Sequence, residues 1–126
     1  RKAVKTGYET AEAYNNMAYI LATRKKKLDK ALPLAKKALE SSSARPQIHD
    51  TVGWIYSLQG EHEKGIKHLE RASRGLPQSP TIRYHLGVAY ERAGQDEKAK
   101  KQIREALTIS DSFPEAEQAR KLLQRL

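Results

Sequence analysis

The sequence predicts an all-α protein, a right-handed α-solenoid of antiparallel helix pairs. Three observations predict it. Pro46, Pro80 and Pro114 recur every 34 residues, and Ala38, Ala72 and Ala106 keep the same step, as do Ala31, Gly65 and Ala99, and Ala35, Leu69 and Ile103. Gly53 and Gly87, Tyr56 and Tyr90, and Gly60 and Gly94 repeat over two periods. Within each period the apolar residues follow helical rather than strand spacing. A fixed period of this length marks stacked repeat units, not a single closed core.

The second period is the clearest. Pro46 opens a helix through Ile48, Val52, Gly53, Ile55 and Tyr56. Proline suits a first helical turn because its missing N–H would have no helical acceptor there. Gln59-Gly60 ends this helix, glycine being suited to the left-handed residue past a C-terminus. A second helix runs over about 62–74 with Gly65, Ile66, Leu69 and Ala72 on one face, and Gly75-Leu76-Pro77 stops it. The third period repeats the plan, with helices over about 80–93 and 96–109 separated by Gly94. In the first period Thr10 is the expected N-cap of a helix over 11–23, with a partner over 28–41. Ala18 and Gly53 are 35 apart, so one extra residue sits in the turn Arg24-Lys25-Lys26-Lys27, which lacks the glycine. After Pro114 a last helix carries Ala116, Ala119, Leu122, Leu123 and Leu126 on one side. A lone terminal helix over the final apolar face is the expected cap of a stacked array. The organisation read this way is units at 11–45, 46–79 and 80–113 and a cap at 114–126. Residues 1–10 are a leader or the end of a preceding repeat.

Composition narrows the function classes. The chain of 126 residues has no cysteine, which removes disulfides and thiolate chemistry. Its longest apolar run, Met17 to Ala22, falls far short of the roughly 20 residues a membrane span needs. A formal charge of +9 favours encounter with acidic partners. The chain begins with Arg1 rather than methionine, as expected of a processed product or a piece of something longer. Compartment is left open between cytoplasm and periplasm.

In three registers the pattern resembles the tetratricopeptide repeat, a 34-residue helix–turn–helix with a W-x2-L-G-x2-Y…A-x3-F…P pattern. The second unit supplies Val52-Gly53, Tyr56, Gly65, Leu69, Ala72 and Pro77. The third supplies Leu86-Gly87, Tyr90, Ala99, Ile103 and Ala106, and the first Met17-Ala18, Leu21, Ala31, Ala35 and Ala38. The tryptophan slot holds Tyr14, His49 and Arg83 instead, and Asp111 replaces the final proline of the third unit. Asn15-Asn16-Met17-Ala18-Tyr19, Asp50-Thr51-Val52-Gly53-Trp54 and Phe113-Pro114-Glu115-Ala116 are similar to phrases in bacterial repeat proteins, including lipoproteins associated with exopolysaccharide secretion. That likeness leans toward a bacterial origin and the cell envelope.

The resemblance implies a concave groove lined by one stripe of each first helix. By register the stripe is Asn15, Tyr19 and Ala22; then Asp50, Trp54, Ser57 and Leu58; then Tyr84, Val88, Glu91 and Arg92, with His85 alongside. Tyr19, Trp54 and Tyr84 put one aromatic per unit into it, suited to apolar side chains of a peptide or the faces of sugar rings. Members of the family that bind chaperone tails clamp a carboxylate with basic groove residues. The matching positions here are Asn15, Tyr19, Thr51, Thr81 and His85, so that clamp is missing.

The basic residues lie elsewhere. Arg24, Lys25, Lys26 and Lys27, then Lys64, Lys67 and Arg71, then Lys98 and Lys101 are expected as a ridge on the convex face, able to hold a polyanion. No aromatic interleaves the cluster from Arg24 to Lys37, which disfavours nucleic acid. His49, His62, His68 and His85 lack metal spacing, and no phosphate loop or nucleophile elbow is present, so no metal, cofactor or catalytic residue is assigned. The expected function is a non-enzymatic scaffold that binds a peptide or protein segment in the groove. The alternative is an acidic-polymer binder, exopolysaccharide before nucleic acid, using the ridge. Self-association through the end units is a further expectation.

Overall fold

A computed structural model describes residues 7–126. Seven helices follow in order: α1 Gly7–Thr23, α2 Leu28–Ser41, α3 Pro46–Leu58, α4 His62–Gly75, α5 Pro80–Arg92, α6 Asp96–Ile109 and α7 Ala116–Arg125. No strand occurs among the described residues. Each first helix packs on its own second helix (α1 on α2, α3 on α4, α5 on α6), each second helix packs on the next first helix, and α7 closes on α6. The helix pairs stack as a solenoid.

Two boundaries differ from expectation. The first helix begins at Gly7, so Thr10 lies inside it and is not its N-cap. Of the expected leader or repeat end over 1–10, residues 7–10 are helical, and residues 1–6 lie outside the described residues. The last helix starts at Ala116, two residues beyond Pro114, after a turn held by Ala116 N–H donating to Phe113 O. Pro46 and Pro80 do open their helices, and Ser79 caps α5 by accepting from the Ile82 amide at 3.2 Å.

The core is a succession of layers. Ala11, Ala18, Ala22, Ala31, Ala35, Ala38, Ile48, Val52 and Ile55 join the first unit to α3. Leu69, Leu86, Ala89, Tyr90 and Ala99 join α4 to the third unit. Val88, Ile103, Ala106, Phe113, Ala116, Ala119 and Leu122 join it to α7. Burying a side chain such as Leu69 or Ile103 is worth about 1.5–3 kcal/mol, and no unit could gain this alone.

The small residues sit where the helices of a pair cross. A Cβ on Gly53 would lie 2.8 Å from Leu69 Cγ and 2.9 Å from the Gly65 carbonyl oxygen. On Gly87 it would lie 2.5 Å from Ile103 Cδ1, with the Ala99 oxygen at 3.4 Å. The residues in the poorly kept tryptophan slot each reach their own second helix. Lys37 Nζ lies 5.6 Å from the Tyr14 ring, His49 Nδ1 lies 2.9 Å from His68 Nδ1, and Arg83 bonds Gln102 at 3.0 Å and pairs with Glu105 at 3.3 Å. A polar or cationic contact thus replaces the indole in every unit.

Candidate functional site: the inner groove

The first helices α1, α3 and α5 lie side by side as the inner layer. Their stripes meet in an aromatic cluster built across the unit boundaries. The Trp54 ring of α3 stacks on His85 of α5, with centroids 4.1 Å apart and planes 23° apart. Tyr84 lies 6.3 Å from Trp54 and 5.9 Å from His85, both tilted. Tyr19 of α1 approaches the same imidazole at 6.1 Å. His85 is fully buried, and its Nδ1–H donates to Asp50 Oδ1 at 2.7 Å. The carboxylate therefore fixes the ring against which Trp54 stacks.

Glu115 stands at the far side of this cluster, immediately before α7. Its carboxylate accepts from Thr81 Oγ1 at 2.8 Å. Burial, then the charges of Glu115 and Asp50, push the Tyr19 phenol up to about 12. Burial, then Glu115, also raises Tyr84. At Tyr84 the charges of Arg92 and Arg125 oppose that rise.

Three openings lie along the inner layer. A cavity of about 410 Å³ between α1 and α3 is bordered by Asn15, Asn16, Tyr19, Ile20, Gln47, Asp50 and Thr51. A second, of about 340 Å³, is bordered by Ala22, Thr23, Lys26, Leu28, Trp54 and Leu58. A third, of about 270 Å³ between α5 and α7, is bordered by Tyr84, Val88, Glu91, Arg92, Gln118, Lys121, Leu122 and Arg125. Two polar atoms of the inner stripe are buried with no hydrogen-bond partner, Asn15 Oδ1 and Trp54 Nε1. An acceptor and a donor left without partners each cost about 1–3 kcal/mol.

Most of the expected stripe comes together here: Asn15, Tyr19, Ala22, Asp50, Trp54, Leu58, Tyr84, His85, Val88, Glu91 and Arg92. Ser57 does not. It is fully buried against Gly65, because it stands one helix turn after Gly53, at the α3–α4 crossing. Asp50 and His85 form the buried floor of the groove rather than an open wall. Glu115 was not part of the expected stripe, although it stands 34 residues after Thr81 and 68 after Gln47. That register was the signal that could have found it.

The expected basic ridge divides. Arg24, Lys25, Lys26, Lys27, Lys64, Lys67, Arg71, Lys98 and Lys101 are all exposed. Lys26, however, borders the cavity under Trp54, at the groove's edge. Lys64 packs over Tyr56 at 5.5 Å, and Lys98 over Tyr90 at 5.7 Å, one period apart. These two lysines have a packing role. His49 pairs with His68 and not with Asp50. No group of three or more potential metal-ligating side chains occurs among the described residues. None of the described helices is long and apolar enough to cross a membrane.

Family models described as "Tetratricopeptide repeat" match residues 53–116 and 10–43. No curated protein matches the chain. Solved structures share the fold. YrrB, "a TPR protein with an unusual peptide-binding site", superposes with a TM-score of 0.74 at 18% identity, over 94% of this chain and 59% of its own. The chain therefore spans less than two thirds of that neighbour. The OM64 repeat domain from Arabidopsis superposes at 0.79 with 17% identity, over 94% of this chain and 98% of its own. The Yersinia enterocolitica type III secretion chaperone SycD, in complex with a peptide of the translocator YopD, superposes at 0.76 with 13% identity, over 93% and 92%.

Proposed function

The chain belongs to the tetratricopeptide repeat family, and we propose that it is a non-enzymatic scaffold holding a segment of a partner protein in the inner groove. The segment, extended or helical, lies along Asn15, Tyr19, Trp54 and Tyr84, above the Asp50–His85 floor. The observation that carries this reading is the aromatic stack across α3 and α5 beside open cavities. Two structural neighbours, YrrB and SycD, are described with a peptide-binding site or a bound peptide. Asp50 and Glu115, with no basic residue around the first cavity, favour a segment with apolar and cationic side chains over an acidic tail. Motif recognition of this kind has micromolar affinity unless a second site adds avidity.

A second reading follows from the charge of +9 and the exposure of Lys67, Arg71 and Lys101: an acidic polymer, such as an exopolysaccharide, held on the outer helices. Affinity capture from a native extract separates the two. Trp54→Ala loses a groove-bound protein and keeps an outer-face polyanion. Lys67→Glu, Arg71→Glu and Lys101→Glu together do the reverse. Retention of every captured protein by Trp54→Ala would overturn the groove reading.

A further inference from the structure

The inner groove carries opposite charges at its two edges. At the N-terminal ends of α5 and α7, Thr81 donates to the Glu115 carboxylate at 2.8 Å. The first cavity, beside the first turns of α3, has Asp50 as its one charged lining residue. The C-terminal ends differ. Arg92 of α5 and Arg125 of α7, each in the last turn of its helix, border the third cavity together with Lys121. The carboxylate lining that cavity is Glu91, yet none of the three cations is held in an ion pair among the described residues. Tyr84 lies between the two edges. After burial, Glu115 raises its pKa, whereas Arg92 and Arg125 lower it. The net shift is upward, so the phenol is protonated at neutral pH and can donate.

A cation in a last turn also complements the helix dipole, and that role needs no ligand. It does not require two such cations to meet at one cavity. Val88 and Leu122, both buried, line the same cavity. A carboxylate brought beside this apolar lining gains more from each guanidinium than it would on an open surface.

We infer that the third cavity receives an aspartate or glutamate side chain from within the groove-bound segment, its carboxylate paired with Arg92 and Arg125. The inference rests on the groove reading and adds a charge order to the segment. The segment is apolar or cationic where it passes Asp50 and acidic where it passes between α5 and α7. These arginines lie outside Asn15, Tyr19, Thr51, Thr81 and His85, the positions at which family members clamp a chain-terminal carboxylate. The stripe also continues onto α7, since Gln118 and Leu122 stand 34 residues after Tyr84 and Val88 and border the cavity. A segment lying along the stripe therefore runs across the cations instead of ending on them.

The test uses random peptides displayed with both ends joined to the carrier, selected on the wild type and on Arg92→Glu, Arg125→Glu. Both arginines are exposed, so the variants are expected to keep the fold. Selected peptides are made with amidated C-termini and titrated against Trp54 emission, which identifies groove binders. Wild-type groove binders should carry an Asp or Glu at a fixed distance from an apolar or cationic core. Those selected on the reversed variant should carry Lys or Arg there. Replacing the peptide's acid by its amide should weaken wild-type binding about fivefold, less at high salt. That gap should narrow to about twofold or less in Arg92→Gln, Arg125→Gln, where Lys121 remains. Groove binders with no acidic preference, or a gap unchanged in the glutamine variant, overturn this inference and leave the groove reading standing. An acidic preference seen only with a free C-terminal carboxylate overturns it in favour of a chain-end clamp. If no selected peptide alters Trp54 emission, both readings fall.

Discussion

The first and second units solve the same two problems differently. Both must turn from first helix to second, and both must bring those helices close. In the second unit the turn is a Schellman closure: Glu61 N–H donates to Tyr56 O at 2.9 Å, around Gly60 at φ +86°. The third unit copies it with Gln95, Tyr90 and Gly94. In the first unit Lys27 N–H reaches back one residue further, to Leu21 O at 2.8 Å, and Lys26 takes the left-handed position at φ +54°. Lys26 stands one full period before Gly60. The period therefore fixes where the left-handed residue falls, and the inserted residue is absorbed before it. At the crossing the slots hold Ala18 and Ala31 in the first unit, Gly87 and Ala99 in the third, and Gly53 and Gly65 in the second, where an added Cβ would lie nearer the facing carbonyl, 2.9 Å against 3.4 Å in the third.

The most damaging break of this comparison is Gly53→Ala, which installs in the second unit the residue the first unit already uses. Its Cβ would meet the Gly65 carbonyl, backbone that cannot move aside, so a loss of about 2–3 kcal/mol is expected by denaturant unfolding. Gly87→Ala meets mainly the mobile end of Ile103 and should cost about half as much. Asp50→Ala comes next. It leaves the buried His85 without its acceptor and should cost about 1–3 kcal/mol, with a change in Trp54 fluorescence as the stack loosens.

Lys26→Gly sharpens the comparison in the other direction. A left-handed L-residue is strained by about 1–2 kcal/mol, part of which glycine returns as unfolded-chain entropy. A net stabilisation of about 0.5–1 kcal/mol is expected. The same change in the other units is already present as Gly60 and Gly94, so Gly60→Ala should destabilise by a similar amount.

The smallest effect is electrostatic. His49 Nε2–H donates to Ser43 O at 2.7 Å, leaving Nδ1 to accept from His68 Nδ1–H. Burial holds both imidazoles below their usual pKa, with Arg71 opposing charge on each, and His49 and Lys67 doing so on His68. The folded state therefore prefers both neutral. Stability is fully present above the unfolded value of about 6.5 and declines as pH falls below it. A melting-temperature series from pH 7.5 to 5 should show this decline, and His49→Gln should flatten it.

The sequence made the stacked pairs legible because period and helical spacing agreed at the buried small residues, Ala31–Gly65–Ala99 and Gly53–Gly87. The aromatic stripe was expected from helical spacing on each first helix, since Trp54 and Tyr84 stand 30 residues apart, off the period. What register could not carry was rotation about each helix and contact across units. Ser57 shares the stripe's spacing yet faces the α4 crossing, and His85 is drawn into the floor by Asp50, a partner 35 residues away. Nor could register place Lys26, because a turn, unlike a helix, has no face that spacing defines. This is how Lys26 came to border the cavity beneath Trp54.

The central claim is that partner segments bind beside Trp54. Because it is the only tryptophan, its fluorescence reports the groove without a label. Peptides selected against the protein from a random display library should be titrated into the wild type and into a Lys67→Glu, Arg71→Glu, Lys101→Glu variant. The account predicts a saturable change in Trp54 emission at micromolar peptide, equal in both proteins, and lost binding in Trp54→Ala. Selected peptides that bind without altering Trp54 emission, and that fail to bind the charge-reversed variant, would contradict it.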